Sequence, residues 1–239
     1  MGFISLAIYT IMRKHISCQT VILLLFLVMS GCWRIPCDPA PMGEETPIWN
    51  DIDLKAFTVT ATYNDINWVN VQPTEAPDYW ELWERGYDQP LAKVGDKCSK
   101  STDVAACITA FDALRSNVGP LDPLCNSYLC RPIYVVSNQG DNNRLWDSLE
   151  KLKDFLGTIN SKEEAILLAR GHQFHAAPSV DIFSGGFREI DGEYEMIALK
   201  MIGFGDPNKI NRYLIRVRPS GELIVLREQI YQSFNKPCS

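Results

Sequence analysis

Apolar positions in this chain follow two rhythms, one of three and four residues and one of two. Over residues 102–116, Val104, Cys107, Ile108, Phe111 and Leu114 beside Arg115 trace one face of a helix, with Ser101 or Thr102 able to cap it. LWDSLEKLKDFL (145–156) repeats that rhythm with Leu145, Leu149, Leu152, Phe155 and Leu156, and Gly157 supplies a stop. NSKEEAILLARG (160–171) is the clearest helix. Ser161 and Glu164 match a capping box, and Gly171 suits the C-terminal end. DYWELWERGY (78–87) spaces Tyr79, Trp80, Trp83 and Tyr87 at helix-like intervals and predicts a short helix burying its aromatics.

The period of two predicts strands. The FTVTATY stretch from Phe57 and INWVNV (66–71), with Asn64-Asp65 between, read as a hairpin. RPIYVVS (131–137) reads as a strand and SNQGDNN (137–143) as a loop. GGFREI (185–190), GEYEMIALKMI (192–202), NRYLIRVR (211–218) and ELIVLREQIY (222–231) follow, parted by the turn signals Asp191-Gly192 and Pro219-Ser220-Gly221. The expectation is an α+β fold, helices followed by a C-terminal antiparallel β-meander, stapled by disulfides. In element order alone this is similar to the cystatin-like and PepSY-like arrangements, and fold does not supply function.

The first 47 residues follow neither rhythm. Residues 21–29, VILLLFLVM, are continuously apolar. Nine residues fall short of the roughly 20 that span a bilayer and match the core of a secretory signal. Arg13-Lys14-His15 form a positive start, and Met12 directly before them predicts the true initiation site, with residues 1–11 outside the gene product. Ser30-Gly31-Cys32 end the apolar run. This sequence resembles the lipobox of bacterial lipoproteins, with Met29 standing where Leu is usual. The resemblance implies cleavage before Cys32. It also implies a diacylglyceryl thioether on that cysteine and, in Gram-negative bacteria, an N-linked acyl chain such as palmitate. Two acyl chains hold a protein stably on a bilayer. Trp33 rather than Asp after the cysteine implies the outer membrane. Residues 33–47, with four prolines, then read as an extended tether, so that 32–47 is lipidated cysteine plus tether. Residues 48–239 read as one domain, with 48–130 and 131–239 as possible subdomains.

Charge narrows the partners. The chain carries a net −6, and the 208 residues from Cys32 onward carry −8, because both basic residues and no acidic ones precede it. Such a body has no general attraction for nucleic acid or anionic lipid heads. The expected partners are a bilayer, through the acyl chains, and other envelope proteins. Of eight cysteines, Cys18 leaves with the signal and Cys32 takes lipid. Cys37, Cys98, Cys107, Cys125, Cys130 and Cys238 remain, an even set that reads as three disulfides in an exported protein. Spacing favours 98–107, 125–130 and 37–238, and the rival pairs 98 or 107 with 125 or 130. The mature body otherwise resembles an uncharacterised envelope protein with no named family.

Candidate chemistry is sparse. No phosphate loop, dinucleotide fingerprint, GxSxG, HExxH or calcium loop is present, so no catalytic residue and no cofactor is assigned. The leading reading is a non-catalytic binding or assembly role. His172 and His175 in GHQFHAAPSVD, with Asp181 near, are the candidates for metal ligands and for an anchored metal-dependent hydrolase. Trp80, Trp83 and Tyr87 are the candidates for a cell-wall glycan platform. Three carboxylate pairs read as structural. Glu163/Glu164 open a helix, Glu193/Glu195 lie on a solvated strand face, and Asp141 stands near Asp147.

Overall fold

The computed structural model describes residues 51–59, 66–116, 131–176, 185–202 and 208–234, and only these are discussed below. The signal segment, Cys32, the tether, Cys37, Cys125, Cys130, Cys238 and Asp181 lie outside them. All described residues belong to one compact unit, Pro39–Ser239.

Two antiparallel sheets form the frame. β2 (Tyr79–Glu84), β3 (Ala92–Gly95), β4 (Ile133–Gln139) and β5 (Asn142–Trp146) make a four-stranded sheet in the order β3-β2-β4-β5. β6 (Gly186–Ile190), β7 (Glu193–Met201), β8 (Asn208–Val217) and β9 (Leu223–Phe234) form the C-terminal meander. β1 (Thr58–Val59) adds to its β6 edge, giving β1-β6-β7-β8-β9. The helices are α1 (Val104–Ser116), α2 (Leu149–Leu156) and α3 (Lys162–Gly171). The class is α+β, but the simple order of helices then strands is not what forms. β2 and β3 precede α1, and the β4–β5 hairpin separates α1 from α2.

Four expected elements differ. YWELWE is a strand, paired with both β3 and β4 and buried at every position. A strand covered on both faces reads as a continuous apolar run rather than an alternation. Tyr79 and Trp83 face α1, while Trp80 and Leu82 join the main core. Of the expected FTVTATY–INWVNV hairpin, residues 60–65 with the Asn64-Asp65 turn lie outside the described residues, and INWVNV is not a strand. Thr58-Val59 pairs with Phe187 and Gly186, and Trp68–Asn70 is a single 3-10 turn. Ile66, Trp68 and Val71 all bury, and that spacing of two and three suits a turn better than a strand. Finally, Leu145 and Trp146 end β5, so the helix starts only at Leu149, with the Ser148 hydroxyl accepting from Lys151 N. The loop expected over 137–143 contracts to the hairpin turn Gly140-Asp141, because Ser137, Asn138 and Gln139 belong to β4 and Asn142 and Asn143 to β5.

The rest follows its local chemistry. α3 opens on the expected capping box between Ser161 and Glu164. The Glu164 carboxylate also accepts from Gln72 N at 2.8 Å and Asn160 N at 2.6 Å, tying three segments together. Glu163 through Arg170 are all buried, as befits a helix enclosed by other layers rather than lying on a surface. The main core cluster takes residues from both sheets and from α2 and α3. α1 covers the other face of the four-stranded sheet, seating Phe111 against Tyr79. Cys98 and Cys107 form the expected disulfide between the loop and α1, with Cα atoms 6.0 Å apart. α2 stops at Gly157, whose φ of 64° is a left-handed value that favours glycine. Gly171 is not the stop: it lies in the last turn of α3, which His172 caps, and a Cβ there would come within 2.5 Å of Leu152 on α2. Among the described residues no helix is long and apolar enough to cross a membrane.

Candidate functional site

The central strand β2 carries two buried glutamates on opposite faces. Side chains alternate along a strand, so Glu81 points with Tyr79 and Trp83 toward α1, and Glu84 points with Trp80 and Leu82 toward α3. An ionised carboxylate is buried at a cost of several kcal/mol unless it is paired and hydrogen-bonded. The two glutamates meet that requirement differently.

Glu81 is saturated by its own face. Tyr79 Oη donates at 2.5 Å and Trp83 Nε1 at 2.8 Å, while Lys97 Nζ lies 3.0 Å away. Lys97 in turn stands 4.3 Å from the centre of the Phe111 ring. Burial, then the hydrogen bond to Glu81, push the Tyr79 phenol above its ordinary range. The phenol is thus a fixed donor at neutral pH.

Glu84 is the more exacting case. At 5% exposure it accepts from Arg170 Nη2 of α3 at 2.8 Å. Arg170 Nη1 contacts the ring of His175. His175 is itself fixed by a two-bond bridge to β7, donating to Leu199 O at 2.8 Å and accepting from Leu199 N at 2.7 Å. Through two side-chain contacts and the His175 backbone, the three residues therefore link β2 of one sheet, α3, and β7 of the other. Burial pushes the Glu84 carboxyl up, against the pull of Arg170 and Arg131. Its Oε1 has no hydrogen-bond partner among the described residues. The contacts between acid and imidazole run through a guanidinium, which does not give up its proton. This geometry braces layers and holds charge.

His172 and His175 stand in different surroundings. The half-buried His172 ring is pushed down to about 4 by burial and then by Lys153 and Lys200, so it is neutral at pH 7. Lys200 Nζ donates to the His172 carbonyl at 3.0 Å and lies 4.8 Å from the Phe174 ring centre. Burial lowers the Lys200 ammonium as well. Among the described residues no group of three His, Cys, Asp or Glu side chains is placed to hold a metal ion. The third candidate, Asp181, lies outside them.

The aromatic candidates are likewise separated. Trp80 packs edge-on against Phe155 at 5.8 Å in the main core, and Trp83 stacks on Tyr134 at 6.2 Å on the opposite face. Tyr87 is exposed, with the Arg131 guanidinium 4.9 Å from its ring centre. One glycan cannot stack on all three.

The carboxylate pairs have structural partners. Glu195 is buried rather than solvated, held by Arg188 at 2.6 Å and Arg216 at 2.5 Å. Glu193 sits beside Arg218 at 3.0 Å and Arg216 at 3.4 Å. Asp141 accepts from Thr102 N at 2.7 Å, and Asp147 pairs with Lys151 at 2.7 Å. Sequence reasoning missed Glu81, Glu84 and Arg170. Their signal was present as charges inside the apolar runs YWELWE and AILLAR.

No family model, no curated protein and no solved structure matches this chain.

Proposed function

We propose that this chain is a lipid-anchored protein of the bacterial envelope, held at the outer membrane of a Gram-negative cell through Cys32. Its folded body serves a non-catalytic binding or assembly role. The observation that carries the proposal is the order of parts at the N-terminus. A basic start, nine apolar residues and Ser30-Gly31-Cys32 follow one another as a lipobox-type signal requires. The Cys98–Cys107 disulfide supports it independently, because disulfides persist in oxidising compartments such as the periplasm and are rare in the cytosol. Four of the remaining cysteines pair as 125–130 and 37–238 in this account, the latter pinning the tether to the C-terminus.

Fractionation with metabolic acyl labelling tests the proposal. The wild-type chain is expected in the membrane fraction carrying radiolabelled palmitate, and Cys32→Ser is expected to lose the label and remain unprocessed. A wild-type chain that takes no label, or a Cys32→Ser variant that keeps it, contradicts the reading.

A further inference from the structure

Six of the described arginines face a carboxylate: Arg144, Arg170, Arg188, Arg216, Arg218 and Arg227. Arg85, Arg115 and Arg131 form no ion pair among the described residues, although the chain carries a net −6. Two of these three converge. Arg85 directly follows β2, on the Trp83 face by alternation, and its backbone N–H donates to Pro132 O at 3.0 Å. Arg115, in the last turn of α1, holds its guanidinium 4.8 Å from the centre of the Trp83 ring. Trp83 stacks on Tyr134, which lies on the same face. Burial raises the Tyr134 phenol, and Arg115 and then Arg85 pull against it, so both guanidiniums act on that one group. Tyr134 is 6% exposed, and its Oη has no hydrogen-bond partner among the described residues. Arg85 Nε is buried without an acceptor among them as well. The carboxylates that act on this face are already held: Glu81 by Tyr79, Trp83 and Lys97, and Asp147 by Lys151. Arg131 belongs to the other face, over Tyr87 and acting on Glu84.

We propose that Arg85, Arg115 and the Tyr134 hydroxyl bind a phosphoryl group at the α1-covered end of the four-stranded sheet. Buried donors without an acceptor are costly, and an anionic oxygen satisfies them. The planar guanidinium fork matches phosphate oxygens in pairs, and the Trp83 face holds the Arg115 fork in place. The phenol stays protonated at neutral pH and serves as a donor. These three donor groups meet the three terminal oxygens of a phosphomonoester, whereas a carboxylate has two oxygens and leaves one donor group unmet. The net −6 of the chain repels anions in general, so binding here is local to the two guanidiniums and not a diffuse attraction. The inference stands on this cluster and does not depend on the lipid anchor.

Isothermal titration calorimetry on the purified full chain tests it, with inorganic phosphate and with dihexanoyl phosphatidic acid below its micelle concentration. At least one probe is expected to bind saturably, one per chain. Tighter binding of the lipid names a lipid headgroup as the source of the phosphoryl group, and equal or tighter binding of phosphate names a soluble one. Arg85→Gln and Arg115→Gln are each expected to weaken binding by about tenfold, the worth of one charge-assisted hydrogen bond. Tyr134→Phe, which keeps the ring against Trp83, is expected to weaken it too. Arg218→Gln, at an arginine already paired with Glu193, is expected to change nothing. Failure of both probes to bind overturns the proposal, and so does binding that Arg85→Gln and Arg115→Gln leave intact. NMR of the wild-type chain gives a check that needs no variant. The Nε–Hε resonances of Arg85 and Arg115 shift saturably with the probe while that of Arg218 stays in place, and equal movement of all three overturns the assignment.

Discussion

Arg170 is the residue on which the interior charge balance turns. It faces Glu84 on one side and His175 on the other, and its side chain is almost wholly removed from solvent. Removing one member of such a pair leaves a buried charge uncompensated, which costs about 3–5 kcal/mol. Arg170→Met is expected to lower the unfolding free energy by that amount in urea titration. Adding Glu84→Gln is expected to recover part of it. Additive losses would show that the two residues do not act as a pair.

Two titrating groups push stability in opposite directions with pH. The folded Glu84 carboxyl sits above its ordinary 4.5, so the native state holds that proton more tightly than the unfolded chain. Its contribution is full below pH 4.5 and is lost as pH rises through the raised value. His172 is the reverse, with a folded value of about 4 against 6.5 unfolded. Its contribution is full above pH 6.5 and is lost as pH falls from 6.5 to 4. The shift corresponds to at most about 3 kcal/mol, and solvent reaching a half-buried ring reduces it. NMR titration is expected to place the His172 midpoint near 4. His172→Gln is expected to flatten the rise in urea stability between pH 4 and 6.5. A midpoint near 6.5 would contradict the assigned burial.

At the scale of elements, the disulfide and the caps give measurable terms. The Cys98–Cys107 bond closes a short loop onto α1 beside Asn138, whose Nδ2 lies 3.3 Å from Cys107 Sγ. A loop of that size stabilises by about 2–3 kcal/mol in the chain-entropy model. Cys98→Ala with Cys107→Ala is expected to cost that much in thermal unfolding, against about 1 kcal/mol for Ser161→Ala at the α3 cap. A disulfide variant as stable as the wild type would contradict the first figure.

Elements whose cues are local were legible in the sequence. The α3 capping box, the Gly157 stop, the Asp191-Gly192 turn and the strands of the meander depend on neighbours within a few positions. β2 was not legible, because both of its faces are covered by segments far away in the chain, and a doubly buried strand shows no alternation. Trp68 failed for a related reason: its burial is dictated by the main core and overrides a local strand preference. The candidate site divides the same way. The Cys98–Cys107 pair could be read from spacing, whereas Glu84, Arg170 and His175 meet only because β2, α3 and the β7 bridge converge.

At the scale of the whole molecule, the account joins two parts with different logic. One is a body in which α2 and α3 share a core with both sheets, and buried ion pairs fasten those layers together. The other is the proposed lipid address at the N-terminus, which under that proposal sets where the body works. The central claim is that address. Intact mass spectrometry of the chain extracted from a Gram-negative host, with and without reduction and thiol alkylation, tests it most directly. The account predicts residues 32–239 plus lipid, with six cysteines alkylated only after reduction. A lipid-free mass beginning at another residue would contradict it and leave Cys32 as a seventh, unpaired cysteine.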